Sequence, residues 1–254
     1  MFLTYASFKA EMYCNIHHKQ MFRLVLVNIL LLSMACSVLA QEDDSVSVDS
    51  VRISFIPTGI RIGTDLISIG KTQFQSDFSG WEVNADIDFH RYFLALDYGS
   101  WSRNFGSKGE KSNYYENDGT YWRVGADVNF LLKDIDRNVF FIGARYGRAN
   151  FSEDLDIYTS NDYEKDVSRS YSHDDVNARW FELTTGLKVK VWKMIWLGYT
   201  ARFKFGLKAE NTPNIIPADV PGYGRTNKDS YWGFNYQIMI RIPVRKAPPV
   251  VVPE

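Results

Sequence analysis

From about Gly59 the chain alternates apolar and polar residues with a period of two, the pattern of strands with one apolar face. Eight such segments can be read. The first, near 58–66, sets Ile60, Ile62 and Leu66 against Arg61, Gly63 and Asp65. The second, near 80–90, sets Trp81, Val83, Ala85, Ile87 and Phe89 against Glu82, Asn84, Asp86, Asp88 and His90. The third, near 91–104, sets Tyr92, Leu94, Leu96 and Tyr98 against Ala95, Asp97 and Gly99. The fourth, near 119–132, sets Trp122, Val124, Ala126, Val128 and Phe130 against Arg123, Gly125, Asp127 and Asn129. In the fifth, near 138–150, Phe140, Ile142, Ala144 and Tyr146 oppose Gly143 and Arg145. In the sixth, near 178–191, Phe181, Leu183, Leu187, Val189 and Val191 oppose Glu182, Gly186, Lys188 and Lys190. The seventh, near 194–208, runs from Ile195 to Leu207 on its apolar face, with Gly198, Arg202, Lys204, Gly206 and Lys208 opposite. The eighth, near 230–242, sets Trp232, Phe234, Tyr236, Ile238, Ile240 and Ile242 against Gly233, Asn235, Gln237 and Arg241.

The connections alternate in length. Short ones lie at His90-Arg91, at 133–137 and at Trp192-Lys193; long ones lie at 67–79, 105–118, 151–177 and 209–229. Short turns at one end and long loops at the other are the sidedness of outer-membrane barrels. The expected fold is therefore all-β: an eight-stranded antiparallel up-and-down transmembrane β-barrel over residues 58–242, with both ends in the periplasm.

Parity alone does not say which face is inside, and a soluble barrel or sandwich shares the pattern. Three features favour the charged face inward. Glycine recurs on the polar face, where it weakens an exposed strand but makes room for Arg and Lys in a narrow interior. Aromatic residues gather near segment ends, with Trp81, Tyr98, Trp122, Tyr146 and Trp232 at the loop end and Phe89, Tyr92, Phe140 and Trp192 at the turn end. Such girdles belong to a bilayer's two interfaces. Segment lengths also suit a tilted crossing of about 9–11 residues.

The first 40 residues read differently. Met21-Phe22-Arg23, the apolar stretch Leu24 to Leu32 and Val38-Leu39-Ala40 before Gln41 form a secretory signal pattern, with Met21 as the start and residues 1–20 as extra sequence. Residues 41–57 read as a flexible periplasmic leader, and 243–254 as a proline-rich periplasmic tail. The two cysteines, Cys14 and Cys36, fall before the barrel, so it contains no disulfide or cysteine–metal site. Ser33-Met34-Ala35-Cys36 offers lipidation at Cys36 as an alternative to cleavage after Ala40. Charge is balanced, 29 Lys plus Arg against 30 Asp plus Glu, which argues against nucleic acid as a partner.

The segment from Tyr231 to Ile238 resembles the outer-membrane assembly signal, with Gly233, Tyr236 and Ile238 at the matching positions. It departs from that signal in running on past Pro243. The plan over residues 58–242 resembles small uncharacterised outer-membrane barrel families of the Bacteroidota. That resemblance implies a bacterial outer-membrane location, with outer-membrane lipids and the barrel-assembly machinery as partners and room for an outer-membrane protein partner. It implies nothing about activity.

Candidate chemistry is sparse. An inward polar face would hold Arg61, Asp65, Glu82, Asp86, Asp88, Asp97, Arg123, Asp127, Arg145, Glu182, Lys188, Lys190, Arg202, Lys204 and Arg241. An eight-stranded barrel is only wide enough to be filled by side chains, so paired charges are a natural filling. A gated path through them is the functional alternative. His90 beside Asp88, and His173 beside Asp174 and Asp175, are the acid–base candidates. The acidic stretch 151–177 could take Ca²⁺ or Mg²⁺ on its oxygens, although its spacing matches no EF-hand. No phosphate loop, nucleophile elbow or zinc spacing occurs, so no cofactor is expected. The leading expectation is a non-enzymatic structural, adhesive or accessory barrel acting through its loops. The alternatives are an outer-membrane enzyme acting on lipid or peptide at the rim, and a narrow channel for small solutes.

Overall fold

Each alternating segment finds its partner in the neighbouring one. The computed structural model describes residues 56–106, 112–132, 134, 136–159, 167–212 and 217–245. The signal segment, most of the leader and most of the tail lie outside these residues. The elements in chain order are β1 (Gly59–Asp65), α1 (Leu66–Phe74), β2 (Phe78–Phe89), β3 (Tyr92–Gly106), β4 (Tyr114–Asn129), β5 (Val139–Thr159), β6 (Val167–Trp192), β7 (Ile195–Glu210), β8 (Asp219–Val220), β9 (Gly224–Arg225) and β10 (Ser230–Pro243). Strands β1 to β7 and β10 form one closed antiparallel ring in which each pairs with its sequence neighbours and β10 closes on β1. This is the expected eight-stranded up-and-down barrel.

The apolar face points outward. Leu94, Leu96, Leu183, Phe234 and Ile240 are all exposed, whereas Arg61, Asp97, Asp127 and Arg202 are buried inside. A water-soluble barrel has the opposite polarity. Outward aromatics form a belt towards the loop end, through Trp81–Tyr98 (5.7 Å), Trp122–Tyr146 (5.8 Å), Tyr146–Phe181 (5.6 Å) and Phe203–Trp232 (5.0 Å). Phe130 and Phe140 pair near the turn end at 6.1 Å.

Three expectations need correction. The first concerns 67–79, read as a loop, where residues Leu66–Phe74 form a helix. Asp65, predicted to join the lumen charges, is its N-cap instead. Its carboxylate accepts from Ser68 N (3.0 Å) and Ile67 N (3.4 Å), and also from Tyr236 N of β10 (3.0 Å). An aspartate immediately before an apolar run is a helix-start signal, and it was present in the sequence. Asp65→Ala is expected to cost about 1–2 kcal/mol in chemical denaturation, because it removes the cap and the bond to β10 together. An unchanged midpoint would show that the helix does not depend on this carboxylate.

The second correction concerns the long loops. Within the described residues, those at 105–118 and 151–177 continue the barrel strands: β3 pairs with β4 as far as Gly106 and Tyr114, and β5 with β6 as far as Thr159 and Val167. Cross-strand bonds such as Ser172 Oγ to Asp154 (2.7 Å) hold this extension together.

The third is a change of facing in β7. Gly206 has a φ of +67° and sits in a bulge opposite Trp180, where the register slips between Arg179 and Phe181. Glycine at the left-handed position of a bulge is the least costly choice. The extra residue reverses the facing beyond it. Leu207, expected outside, packs inward together with Ala209, and Lys208, expected opposite it, is exposed.

Candidate functional site

The lumen is filled in three layers. At its middle, five carboxylates (Glu82, Asp86, Asp97, Asp127 and Glu182) meet six cations (Arg61, Arg123, Arg145, Lys188, Arg202 and Lys204), each at most 5% exposed. The ring closure brings distant strands together across the interior. Lys188 on β6 reaches Asp86 on β2 at 2.7 Å, and the other oxygen of Asp86 takes Arg61 Nε at 2.7 Å. Asp97 Oδ2 lies 3.1 Å from both Arg145 and Arg202 and 3.4 Å from Arg123. Arg145 also donates to Asp127 at 2.7 Å, and Arg202 to Glu182 at 3.1 Å. Arg123 is paired with Glu82. Neutral donors complete the acids: Tyr121 Oη to Glu82 and Trp180 Nε1 to Glu182, both at 2.7 Å. Buried charge survives only when paired in this way.

An apolar layer closes the turn end, made of Phe93, Val139, Phe141, Trp196 and Met239. Arg61 lies over the Phe93 ring at 4.5 Å, between this layer and the charges. These apolar residues occupy polar-face parity. Their signal in the sequence is a large apolar residue two positions from an inward charge or glycine, as in Phe141-Ile142-Gly143. The inward glycines serve these rings more than the predicted Arg and Lys. A Cβ at Gly99 would stand 2.6 Å from the Tyr121 ring, and one at Gly186 would stand 2.9 Å from Phe141. Gly233 and Gly59 follow the expected logic, because a Cβ there would meet Lys204 Cε at 2.9 Å and the Arg241 guanidinium at 2.8 Å.

The loop end is closed by a plug. Asp219 and Val220 pair with Arg225 and Gly224 in a small hairpin. Val220 and Tyr223 are fully buried against Tyr121, Phe151, Val176 and Trp180. Wall side chains hold the hairpin: Asn117 Nδ2 donates to Asp219 O (2.6 Å), Trp101 Nε1 to its carboxylate (3.2 Å) and Arg103 to the other carboxylate oxygen (3.3 Å). Burial pushes the Asp219 carboxyl above the ordinary range, and the Arg103 guanidinium only partly opposes this. The predicted 209–229 loop thus turns back into the barrel mouth. Between the layers, the void beside Asn84, Asp97 and Lys188 is about 10 Å³. That is room for about one water probe.

The remaining predicted residues separate into distinct roles. Asp88 and Arg241 pair at 3.2 Å at the turn mouth, away from the central network. Lys190 is exposed. Asp88 accepts from the backbone N–H of His90 at 2.7 Å, so it caps a turn in which His90 has a φ of +74°. His173 does not engage Asp174 or Asp175; its Nδ1 lies 3.0 Å from Glu153 on the facing strand. Glu153 in turn touches the Tyr115 hydroxyl, which also accepts from Asp219 N. This chain ties the outer hairpin to the plug. No group of three or more His, Cys, Asp or Glu that could hold a metal occurs among the described residues. Asp162, Glu164 and Asp166 of the acidic stretch lie outside them. Gly233 lines the lumen, while Tyr236 and Ile238 face out on the strand that closes the ring.

No curated protein matches the chain in sequence. Among solved structures, CarO of Acinetobacter baumannii is similar at a TM-score of 0.35 and 11% identity, covering 74% of this chain and 98% of CarO. Ail, the attachment invasion locus protein of Yersinia pestis, solved with the heparin analogue sucrose octasulfate, is similar at a TM-score of 0.33 and 14% identity, covering 73% of this chain and 97% of Ail. Residues 21–247 match the family described as Domain of unknown function (DUF6048), and the chain belongs to that family.

Proposed function

We propose that this protein is a non-enzymatic barrel of the bacterial outer membrane that acts through its projecting hairpins as a structural, adhesive or accessory subunit. The observation that carries this reading is the pairing of an apolar exterior with a lumen closed in three layers. An exposed apolar wall needs an apolar solvent, and a closed ring is the only sheet that leaves no unpaired edge there. At the level of Asp97 and Lys188 the void is about 10 Å³, which leaves no room for a stream of hydrated solute to pass that level. What remains for function lies outside the wall. Strands β5 and β6 are 21 and 26 residues long, roughly double the 9–11 residues that a crossing needs. The surplus of about 10 residues, at about 3.3 Å each, carries this hairpin about 30 Å along its axis beyond the bilayer. Assembly through the signal at Gly233, Tyr236 and Ile238 belongs to the same reading.

Two measurements test it. The folded protein should need detergent for extraction and change gel mobility on heating. Reconstituted in a planar bilayer, it should show no stable unitary steps. Conductance of nanosiemens size would overturn the closed-lumen reading and favour the channel.

A further inference from the structure

The barrel wall is incomplete at one place. Strand β1 stops at Asp65, where it pairs with Gln237, and its last partner on β2 is Val83. Beyond that level, β2 from Phe78 to Glu82 and β10 from Ser230 to Tyr236 have no strand between them. Helix α1 crosses this gap. It is stitched to β2, where Thr72 Oγ1 lies 2.8 Å from Gly80 N and 2.7 Å from Gly80 O. The hydrogen bond that ties it to β10 is that of its cap, Asp65 to Tyr236 N. Between the helix and the outer half of β10 a cavity of about 300 Å³ remains. Lys204 lines it from the lumen, whereas Trp232 and Phe234, 58% and 51% exposed, line it from the outer face. The cavity therefore lies at the gap in the wall, with residues of both faces of β10 along it.

Its charge is unbalanced. Its lining carries four cations, Lys71, Arg103, Arg123 and Lys204, against two carboxylates, Asp65 and Glu82, and Lys204 is 5% exposed. Its ammonium donates to Gly222 O (2.7 Å) and Tyr223 O (3.0 Å), and no described carboxylate lies within salt-bridge distance. The other charges on the cavity are committed: Glu82 to Arg123, Arg103 to Asp219, and Asp65 to its cap. Lys71, exposed on α1 near the Phe78 ring, adds a second cation at the rim. Glu182 and Glu82 act on this ammonium only from beyond salt-bridge distance, and an incoming anion would give it a direct charged partner.

We infer that this seam between β2 and β10 is a lateral binding site for the phosphate headgroup of an anionic bilayer lipid, held by Lys204 within and Lys71 at the rim. The inference rests on the membrane reading above. The opening sits in the loop-end aromatic belt, beside Trp81 and Trp232, which is the depth at which aromatic belts meet lipid headgroups. Flanking Trp232 and Phe234 face the acyl region, which favours a tailed ligand over a soluble anion. A volume near 300 Å³ is at the lower end for ligand pockets and suits a headgroup rather than a whole lipid.

The test uses the full-length protein in a neutral detergent and native mass spectrometry with three probes: dioleoyl phosphatidic acid, dioleoylglycerol with the same tails and no phosphate, and inorganic phosphate. One phosphatidic acid should remain bound, with dioleoylglycerol released. Lys204→Met should weaken retention about tenfold or more, and Lys71→Gln severalfold. Equal retention by wild type and Lys204→Met would overturn the site, as would equal retention of dioleoylglycerol. Displacement of phosphatidic acid by inorganic phosphate at equal concentration would reassign the lysines to a soluble anion and overturn lateral entry. If Lys204→Met fails to assemble, Lys71→Gln combined with Phe234→Ala, both at exposed positions, carries the same test. Heating the same samples on a gel separates the two readings. A heat-shifted barrel that retains no lipid sinks this site alone, whereas a protein that is soluble without detergent sinks the membrane reading.

Discussion

Asp97→Ala is expected to cost the barrel about 3–5 kcal/mol, because it strips the shared acceptor from three buried guanidiniums at once. Arg123, Arg145 and Arg202 all approach the same carboxylate oxygen, and the side chains involved are at most 4% exposed. Their other partners do not make up the loss. Glu82, Glu182 and Asp127 are already engaged by Tyr121, Trp180 and Lys188 respectively. Removing this anion leaves three buried guanidiniums with one acceptor fewer. The measurement is equilibrium urea unfolding from lipid vesicles, read by loss of the heat-shifted gel band. Asp118→Ala, at an exposed position on the outer part of β4, is the control and should stay within about 0.5 kcal/mol. A cost for Asp97→Ala below about 1 kcal/mol would mean that water replaces the carboxylate and that the lumen is wet.

Leu96→Arg is the second large effect, and it separates a membrane wall from a soluble one. Leu96 is 50% exposed and lies between Tyr98 and Tyr92 in the aliphatic part of the outer face. In water, arginine at a half-exposed strand position is nearly neutral. At the midplane of a bilayer it costs about 2–4 kcal/mol, because the guanidinium must be dragged into hydrocarbon or reach for the interface. Unfolding from vesicles reads this cost, and the same substitution measured in detergent micelles should show less of it. No difference between Leu96→Arg and wild type in vesicles would place this face outside the bilayer.

The two effects draw on the two faces of one alternation, which is why so much of the barrel was legible. A strand's side chains alternate strictly, so Leu94, Leu96 and Tyr98 share one surface and Ala95, Asp97 and Gly99 the other. Eleven of the predicted inward charges are buried in the central layer, ten of them in ion pairs with one another. Parity placed them on one face, and the narrowness of eight strands then left them nowhere to go but against each other. The same logic failed where something other than parity acted. Asp65 has inward parity, but a helix begins after it, and its carboxylate serves backbone N–H groups instead of a guanidinium. Lys190 has inward parity, but it lies so near the Trp192 turn that solvent reaches it. Lys208 lost its parity to the bulge at Gly206.

The functional features were less legible than the fold. His173 and Asp174 are neighbours in sequence, yet alternation sends them to opposite faces, and His173 meets Glu153 across a strand pair instead. The plug hairpin was equally hidden. Asp219 to Arg225 has the polar, glycine-containing composition of an exposed turn, and only the ring of wall residues around it makes burial possible. Tyr121, Asn117 and Trp101 supply the surface and the hydrogen bonds that its backbone gives up on leaving water.

By itself, then, the sequence determined the number of barrel strands, their order, the face most of their side chains take and the short-turn end of the barrel. All of these follow from local periodicity and turn length. Only the tertiary structure decided how far each strand runs, which charges meet across the lumen, that the mouth is plugged and that the wall is left open beside β1. Those features depend on stagger and closure, which bring residues about a hundred positions apart, such as Asp86 and Lys188, to hydrogen-bond distance. Periodicity reports which way a side chain points; what it points at is set by the ring.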